Sequence, residues 1–181
     1  MLQCSNPNLS FSLVSIFRYS KEWFLPPLLR FKECIMKLKI MRIRTAYEQD
    51  AENLRKLLEE LGYRISVPCL EKKITLLTSD PNSGLYVYEL GGSILGLLSV
   101  YFIPQLAVEG DFARISYFVV DENCRNKGIG KEMEKFCEML ASERKCDRIE
   151  VHCHEGRKEA HWFYLERGYE ESPKYLVKHL G

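Results

Sequence analysis

Hydrophobic and polar positions from Met41 onward follow a regular succession. Arg42, Ile43, Arg44 and Thr45 alternate, which predicts a strand entering the fold. After Asp50, Leu54, Leu57, Leu58 and Leu61 recur at three- and four-residue spacing and predict a helix that Gly62 ends. A second helix follows Pro68, with Leu70, Ile74 and Leu77 on one side, and stops before Asp80-Pro81-Asn82. Residues 85–90 and 94–102 read as strands, and Gly91-Gly92 between them is a hairpin signal. Residues 103–112 read as a loop.

A further strand begins at Arg114. Tyr117, Phe118, Val119 and Val120 form an unbroken aromatic and β-branched run, suited to a strand buried on both faces. A short basic turn follows, then Ile129, Met133, Phe136, Cys137 and Leu140 line one face of a helix over 128–142. A strand over 148–153, a helix over 158–166 ended by Gly168 and a last strand over 175–179 complete the pattern. The order is strand, two helices, three strands, helix, strand, helix, strand, with no internal repeat, low-complexity tract or linker after residue 41.

The turn between the Tyr117–Val120 run and its helix carries Arg125, Asn126, Lys127, Gly128, Ile129 and Gly130. The first N–H groups of a helix lack partners within it and lie at the positive end of its dipole, so a helix start attracts anions. Glycines at 128 and 130 let a bulky anion approach the backbone, and Arg125, Lys127 and Lys131 surround it with positive charge. A phosphate or pyrophosphate is the natural ligand. A nucleotide P-loop is excluded, because Arg125 stands where its first glycine belongs and Glu132 where its hydroxyl belongs. A dinucleotide fingerprint is excluded by Met133 in place of its third glycine. What remains is R-x-x-G-x-G between a strand and a helix; the bland alternative is a basic surface turn that binds nothing.

In that setting R-N-K-G-I-G after Y-F-V-V-D resembles the acyl-CoA-binding motif of the GNAT superfamily of N-acetyltransferases. The order of elements matches that family from about Met41 to Leu180. The resemblance implies an α/β fold with a mixed, mostly antiparallel, splayed sheet flanked by helices. It implies that the sheet parts between the strands at 115–120 and 148–153, and that the pantetheine arm of acetyl-CoA, as co-substrate, lies in the gap. Phe118, Val119 and Val120 would pair with the arm through their backbone. N–H groups from Arg125 through Asn126, Lys127, Gly128, Ile129 and Gly130 to Lys131 would hold the pyrophosphate. An exposed strand edge offers unpaired N–H and C=O groups that an amide-containing arm can satisfy.

A second stretch, Ala160, Phe163, Tyr164, Gly168 and Tyr169, resembles the family's A-x-x-F-Y-x-x-x-G-[FY] signature. By that resemblance Tyr164 points at the thioester sulfur as general acid. A thiol of pKa near ~8.5 departs as an anion at neutral pH, and a phenol of pKa about 10 can protonate it. The alternative is a tyrosine packed in the core with its hydroxyl on the backbone. Two departures from the family stand out. Arg157 replaces an asparagine that contacts the cofactor in many members, so that contact becomes charged or is lost. Ser116 and Tyr117 stand where many members carry a strand glutamate, so the usual general base is missing there. Glu150, His152 and His154, alternating on one strand face, or water held by Ser116, are the candidate relays. A metal site among His152, Cys153, His154 and His161 is not expected, since Cys153 would point opposite to its neighbours.

Composition changes the picture little. At 181 residues the chain suits one domain with a substantial core. A formal charge of +1 argues for neither a nucleic-acid nor an anionic-membrane partner, so any phosphate affinity is local. Seven cysteines with no C-x-x-C pair read as free thiols of a reducing, cytoplasmic compartment. Residues 1–40 differ from the rest and read as an N-terminal extension to a domain over 41–181, with Met36 and Met41 as alternative starts. Within the extension Arg18, Lys21, Glu22 and Pro26-Pro27 break the apolar run short of the ~18–20 residues of a membrane span. The expected reaction is direct transfer of acetyl from acetyl-CoA to a primary amine, with a small-molecule amine as acceptor. The closing residues resemble those of aminoalkylphosphonate acetyltransferases and some aminoglycoside and polyamine relatives. A protein N-acetyltransferase and a non-catalytic acyl-CoA sensor are the alternatives, and a homodimer is open, since many relatives pair.

Overall fold

The computed structural model describes residues 42–172, 176 and 178. The 1–40 extension, and the strand expected over 175–179 apart from Leu176 and Lys178, lie outside the described residues. Within them, five strands form one sheet in the order β1 (Ile43–Thr45), β2 (Ser83–Leu90), β3 (Ser93–Ile103), β4 (Asp111–Val120) and β5 (Cys146–Val151). The helices are α1 (Ala51–Glu60), α2 (Val67–Ser79), α3 (Ile129–Glu143) and α4 (Lys158–Leu165). Neighbouring strands from β1 to β4 run antiparallel and β4 pairs with β5 in parallel, which makes the sheet mixed and mostly antiparallel.

Each face of the sheet carries its own core. Leu85, Val87, Leu97 and Val119 pack against Leu54, Leu57, Leu58, Leu70 and Ile74 of α1 and α2. Tyr88, Leu98, Val100, Ala113 and Ile115 pack on the other face against Ile129, Met133, Phe136 and Cys137 of α3. The leucine and methionine spacings noted in the sequence are therefore the buried stripes of these helices. Arg44 of β1 fixes the entry to α1. Its guanidinium grips the Asp50 carboxylate at 2.7 and 2.9 Å, and the same carboxylate accepts from the Tyr47 N–H at 2.8 Å.

Two of the shifted boundaries bear on the sheet's opening. β4 begins at Asp111, so the loop before it is shorter than 103–112. β5 covers Cys146–Val151, so His152 and Cys153 lie beyond its end. One irregularity accounts for the second difference. Ser99 pairs with Tyr117 and Val100 with Ile115, which leaves Ser116 as an extra residue in β4. Such a bulge bends its strand and disrupts the ladder locally. Pairing between β4 and β5 reaches Ile115 and Val151 and goes no further. The bulge also exchanges faces: Ala113 and Ile115 belong to the α3 side, whereas after it Val119 belongs to the α1 side.

Candidate active site

Beyond Ile115, β4 is bonded to β3 on one edge, and its other edge opens where β5 has ended. A cavity of about 820 Å³ lies along that opening. It is lined by Phe118, Val119 and Val120 of β4, by Arg125, Asn126, Gly128, Gly130 and Lys131 at the mouth of α3, and by Arg157 and Tyr164 of α4 and its approach. The structure thus gathers around one space most of the residues that the sequence singles out. Lys127 and Ile129 are not among those lining it. The Lys127 ammonium donates back to the Asn123 carbonyl at 2.8 Å, and Ile129 is buried in the core beneath the helix. Their side chains therefore do not face a ligand in the cavity.

The mouth of α3 has the form of an anion cradle. Asn126 at φ 60° and Gly128 at φ 86° turn the backbone to the left-handed region on either side of Lys127, an alternation that aims successive N–H groups to one side. Gly128 is the N-cap and no side chain caps it, so the first N–H groups of the helix face outward. A Cβ at Gly128 would meet nothing within 4 Å, which is room for ligand bulk. At Gly130 a Cβ would stand 3.0 Å from the Phe163 ring, so a bare position there lets that ring close over the helix. A diphosphate fits this cradle, and an extended amide arm fits the bare β4 edge beside it.

Tyr164 also lines the cavity. It is 8% exposed, with ring centroids 5.2 Å from Phe163, 5.1 Å from Tyr169 and 6.5 Å from Phe118. Burial pushes its phenol well above the ordinary tyrosine range, and Cys153 adds to the rise. The direction of that rise weighs against full transfer of its proton, the acid role expected for it. A phenol of pKa about 10 already gives its proton to a thiolate of conjugate pKa near ~8.5 only uphill, and burial steepens the slope. A hydroxyl that keeps its proton can still donate a hydrogen bond to sulfur as negative charge builds there.

Two arginines cross the cavity to α1. Arg125 donates to the Glu60 carboxylate at 3.0 Å and to the Val120 carbonyl at 3.3 Å. Arg157 donates to the Leu61 carbonyl at 2.8 Å. Glu60, Leu61 and Gly62 consequently form part of the wall, a contribution that α1's periodicity does not reveal. The expected relay is not formed either. Glu150 is held by Arg114 at 2.8 Å and Arg148 at 3.4 Å, and the His154 ring nitrogen accepts from the Gly156 N–H at 3.1 Å. With β5 ending at Val151, Glu150 and His154 do not alternate along one strand.

A mixed sheet that parts beside a bare helix mouth, with a buried phenol lining the same slot, defines the class of acyl-CoA-dependent acetyltransferases. The chain belongs to the acetyltransferase (GNAT) family, which it matches over residues 43–169. Solved structures share its fold. A transcriptional regulator from Bacillus halodurans C-125 is 27% identical, with a TM-score of 0.70 over 76% of this chain and 98% of that one. A GNAT family acetyltransferase from Staphylococcus aureus is 23% identical, with a TM-score of 0.65 over 76% and 97%. An aminoglycoside acetyltransferase from an uncultured soil metagenomic sample, solved with trehalose and with sisomicin, is 23% identical, with a TM-score of 0.64 over 77% and 95%.

Proposed function

We propose that this acetyltransferase moves acetyl from acetyl-CoA to the primary amine of a small molecule by direct attack. Acetyl-CoA supplies the activated acyl group as a thioester; the chain supplies position and polarity. The observation that carries the reading is the single cavity joining the α3 mouth to Tyr164. Backbone N–H groups at Gly128 to Lys131 hold the diphosphate, and the edge of Phe118 to Val120 orients the arm. Tyr164 donates a hydrogen bond to sulfur as the thiolate leaves. Deprotonation of the attacking amine falls to solvent reaching the opening at Ser116, which is exposed.

A covalent route through Cys153 is disfavoured, because burial raises that thiol and the thiolate is the nucleophile. A small acceptor is supported by the structural likeness to the metagenomic aminoglycoside enzyme. No helix among the described residues is long and apolar enough to cross a membrane. Cys69, Cys124, Cys137, Cys146 and Cys153 are free thiols, which supports a reducing cytoplasmic setting.

Tyr164→Phe tests the function. Turnover with a panel of amines should fall roughly a hundredfold while acetyl-CoA binds as before, because only the donated hydrogen bond is lost. Undiminished turnover removes Tyr164 from the chemistry. Absence of any amine-dependent CoA release from the unaltered protein points instead to an acyl-CoA sensor.

A further inference from the structure

The face of the sheet turned toward α1 and α2 carries a polar strip on its β4 and β5 end. Arg114 of β4 lies opposite Glu150 of β5, and Phe112 opposite Arg148, so these side chains share one face. The Arg114 guanidinium donates to one Glu150 oxygen at 2.8 and 3.3 Å. The other Glu150 oxygen lies 3.4 Å from the Arg148 Nε, and the Arg148 guanidinium is stacked 3.7 Å above the Phe112 ring. One carboxylate thus serves two guanidiniums. The group keeps a net positive charge, and each guanidinium has more donors than a shared carboxylate can use.

Past the bulge, Tyr117 returns to this face opposite Ser99, and its ring meets Tyr63 edge to face at 5.4 Å. Both tyrosines are exposed, at 39% and 47%. Between the arginines and the tyrosines lies Ser116, at the place where the sheet opens toward Tyr164. At a strand rise of ~3.3 Å per residue, Arg114 and Ser116 are about 7 Å apart along β4. A molecule lying on the strip with one end on the guanidiniums therefore brings its other end to the opening.

We propose that this strip is the acceptor subsite, and that the acceptor is a short primary amine bearing an acidic group, carboxylate or phosphate. The inference rests on the acetyl-transfer reading above. The acidic group lies on Arg114 and Arg148, the carbon skeleton runs along β4 toward Tyr117 and Tyr63, and the amine enters at Ser116. Planar guanidiniums already oriented by Glu150 and Phe112 bind such anions at little cost in side-chain order. Within the strip the Glu150 carboxylate is engaged by both arginines, so a second positive charge on the acceptor meets guanidiniums there rather than a spare carboxylate.

The test is CoA release by the full chain with acetyl-CoA and four amines that share a two-carbon chain: β-alanine, O-phosphoethanolamine, ethanolamine and 1,2-diaminoethane. The acidic pair should exceed the other two in kcat/KM by about tenfold, the worth of one charge-assisted contact. The ratio of β-alanine to O-phosphoethanolamine identifies which acid the site takes. Arg114→Gln, and separately Arg148→Gln, should raise KM for the acidic amines about tenfold with kcat changed much less, because the lost contact is made equally before and during reaction. Equal rates across the panel, preference for the diamine, or a Gln variant that lowers kcat at unchanged KM overturns the assignment. Ethanolamine or diamine turnover without acid preference does so while leaving acetyl transfer intact; failure of acetyl-CoA to bind in calorimetry brings down the underlying reading as well.

Discussion

The Arg157 guanidinium donates to the Leu61 carbonyl at 2.8 Å, joining the start of α4 to the end of α1 across 96 residues of sequence. The residue takes the place of an amide expected to touch the cofactor, and its charge is engaged with the backbone on the opposite wall. Arg157→Asn would open that wall. Binding of acetyl-CoA should weaken by roughly two- to tenfold, as befits the net worth of one exposed hydrogen bond, with the folded state retained. Isothermal calorimetry checks this, and tighter binding would show the bridge to be an obstacle rather than a support.

Arg125 meets Glu60 on the same wall, with the carboxylate one-fifth exposed and the guanidinium nearly half exposed. A diphosphate at the α3 mouth competes with that carboxylate for the same donors. Glu60→Gln should therefore tighten acetyl-CoA binding, by about two- to fivefold for a partly exposed pair, and the gain should shrink in high salt. Weaker binding would mean that Glu60 holds Arg125 in its working position.

Gly128 combines a left-handed backbone with open space above it. Gly128→Glu puts a strained residue and a negative charge where phosphate oxygens would lie. The expected result is loss of measurable acetyl-CoA binding by calorimetry, at a stability cost of about 1–2 kcal/mol from the backbone alone. Binding within twofold of the parent would move the diphosphate away from this turn.

Asp50 shows how pH enters stability. Burial alone would raise its carboxyl, but the Arg44 guanidinium and the Tyr47 N–H overcome burial and hold it below the usual carboxylate value. A lowered folded value contributes stability that is present above the unfolded pKa near ~3.9 and is lost as pH falls through the folded one. Asp50→Asn should cost about 2 kcal/mol in urea unfolding at pH 7, and the difference from the parent should narrow below pH ~4.

At the alkaline end the tyrosines act. Burial raises Tyr164, Tyr169 and Tyr86, so the folded state holds their protons more tightly than the unfolded chain does. Their contribution is complete below the unfolded value of about 10 and is lost as pH climbs toward the folded values. Urea midpoints should hold to pH ~9.5 and fall above it, while kcat shows no tyrosine-like decline in the range where the protein remains folded. A kcat that falls with an apparent pKa near ~10 in folded protein would mean that Tyr164 is not the buried donor.

How far the chain could be read in advance depended on distance along it. Leu54, Leu57 and Leu58 announce α1 because a helix records its buried face in neighbours three and four apart. Arg125 to Gly130 announce the left-handed turn and the uncapped helix start because these are local objects. Ser116 gave no sign of being a bulge: that depends on Ser99 pairing with Tyr117 while Val100 pairs with Ile115, a relation between strands. The end of β5 lies two residues before the point its composition suggests for the same reason, since Val151 is where its neighbour bends away. Glu60 and Leu61 were likewise hidden, because their partners lie 65 and 96 residues on.

Deleting Ser116 would carry the point further. A β4 one residue shorter could continue its ladder unbroken, zip its far half onto the neighbouring strand and seal the sheet. Tyr117, Phe118 and Val119 would keep Ser99, Leu98 and Leu97 opposite them, and with those neighbours their present faces, so both interiors would survive while the gap between them was lost. A single supernumerary serine is thus what keeps this domain an open vessel instead of a closed wall.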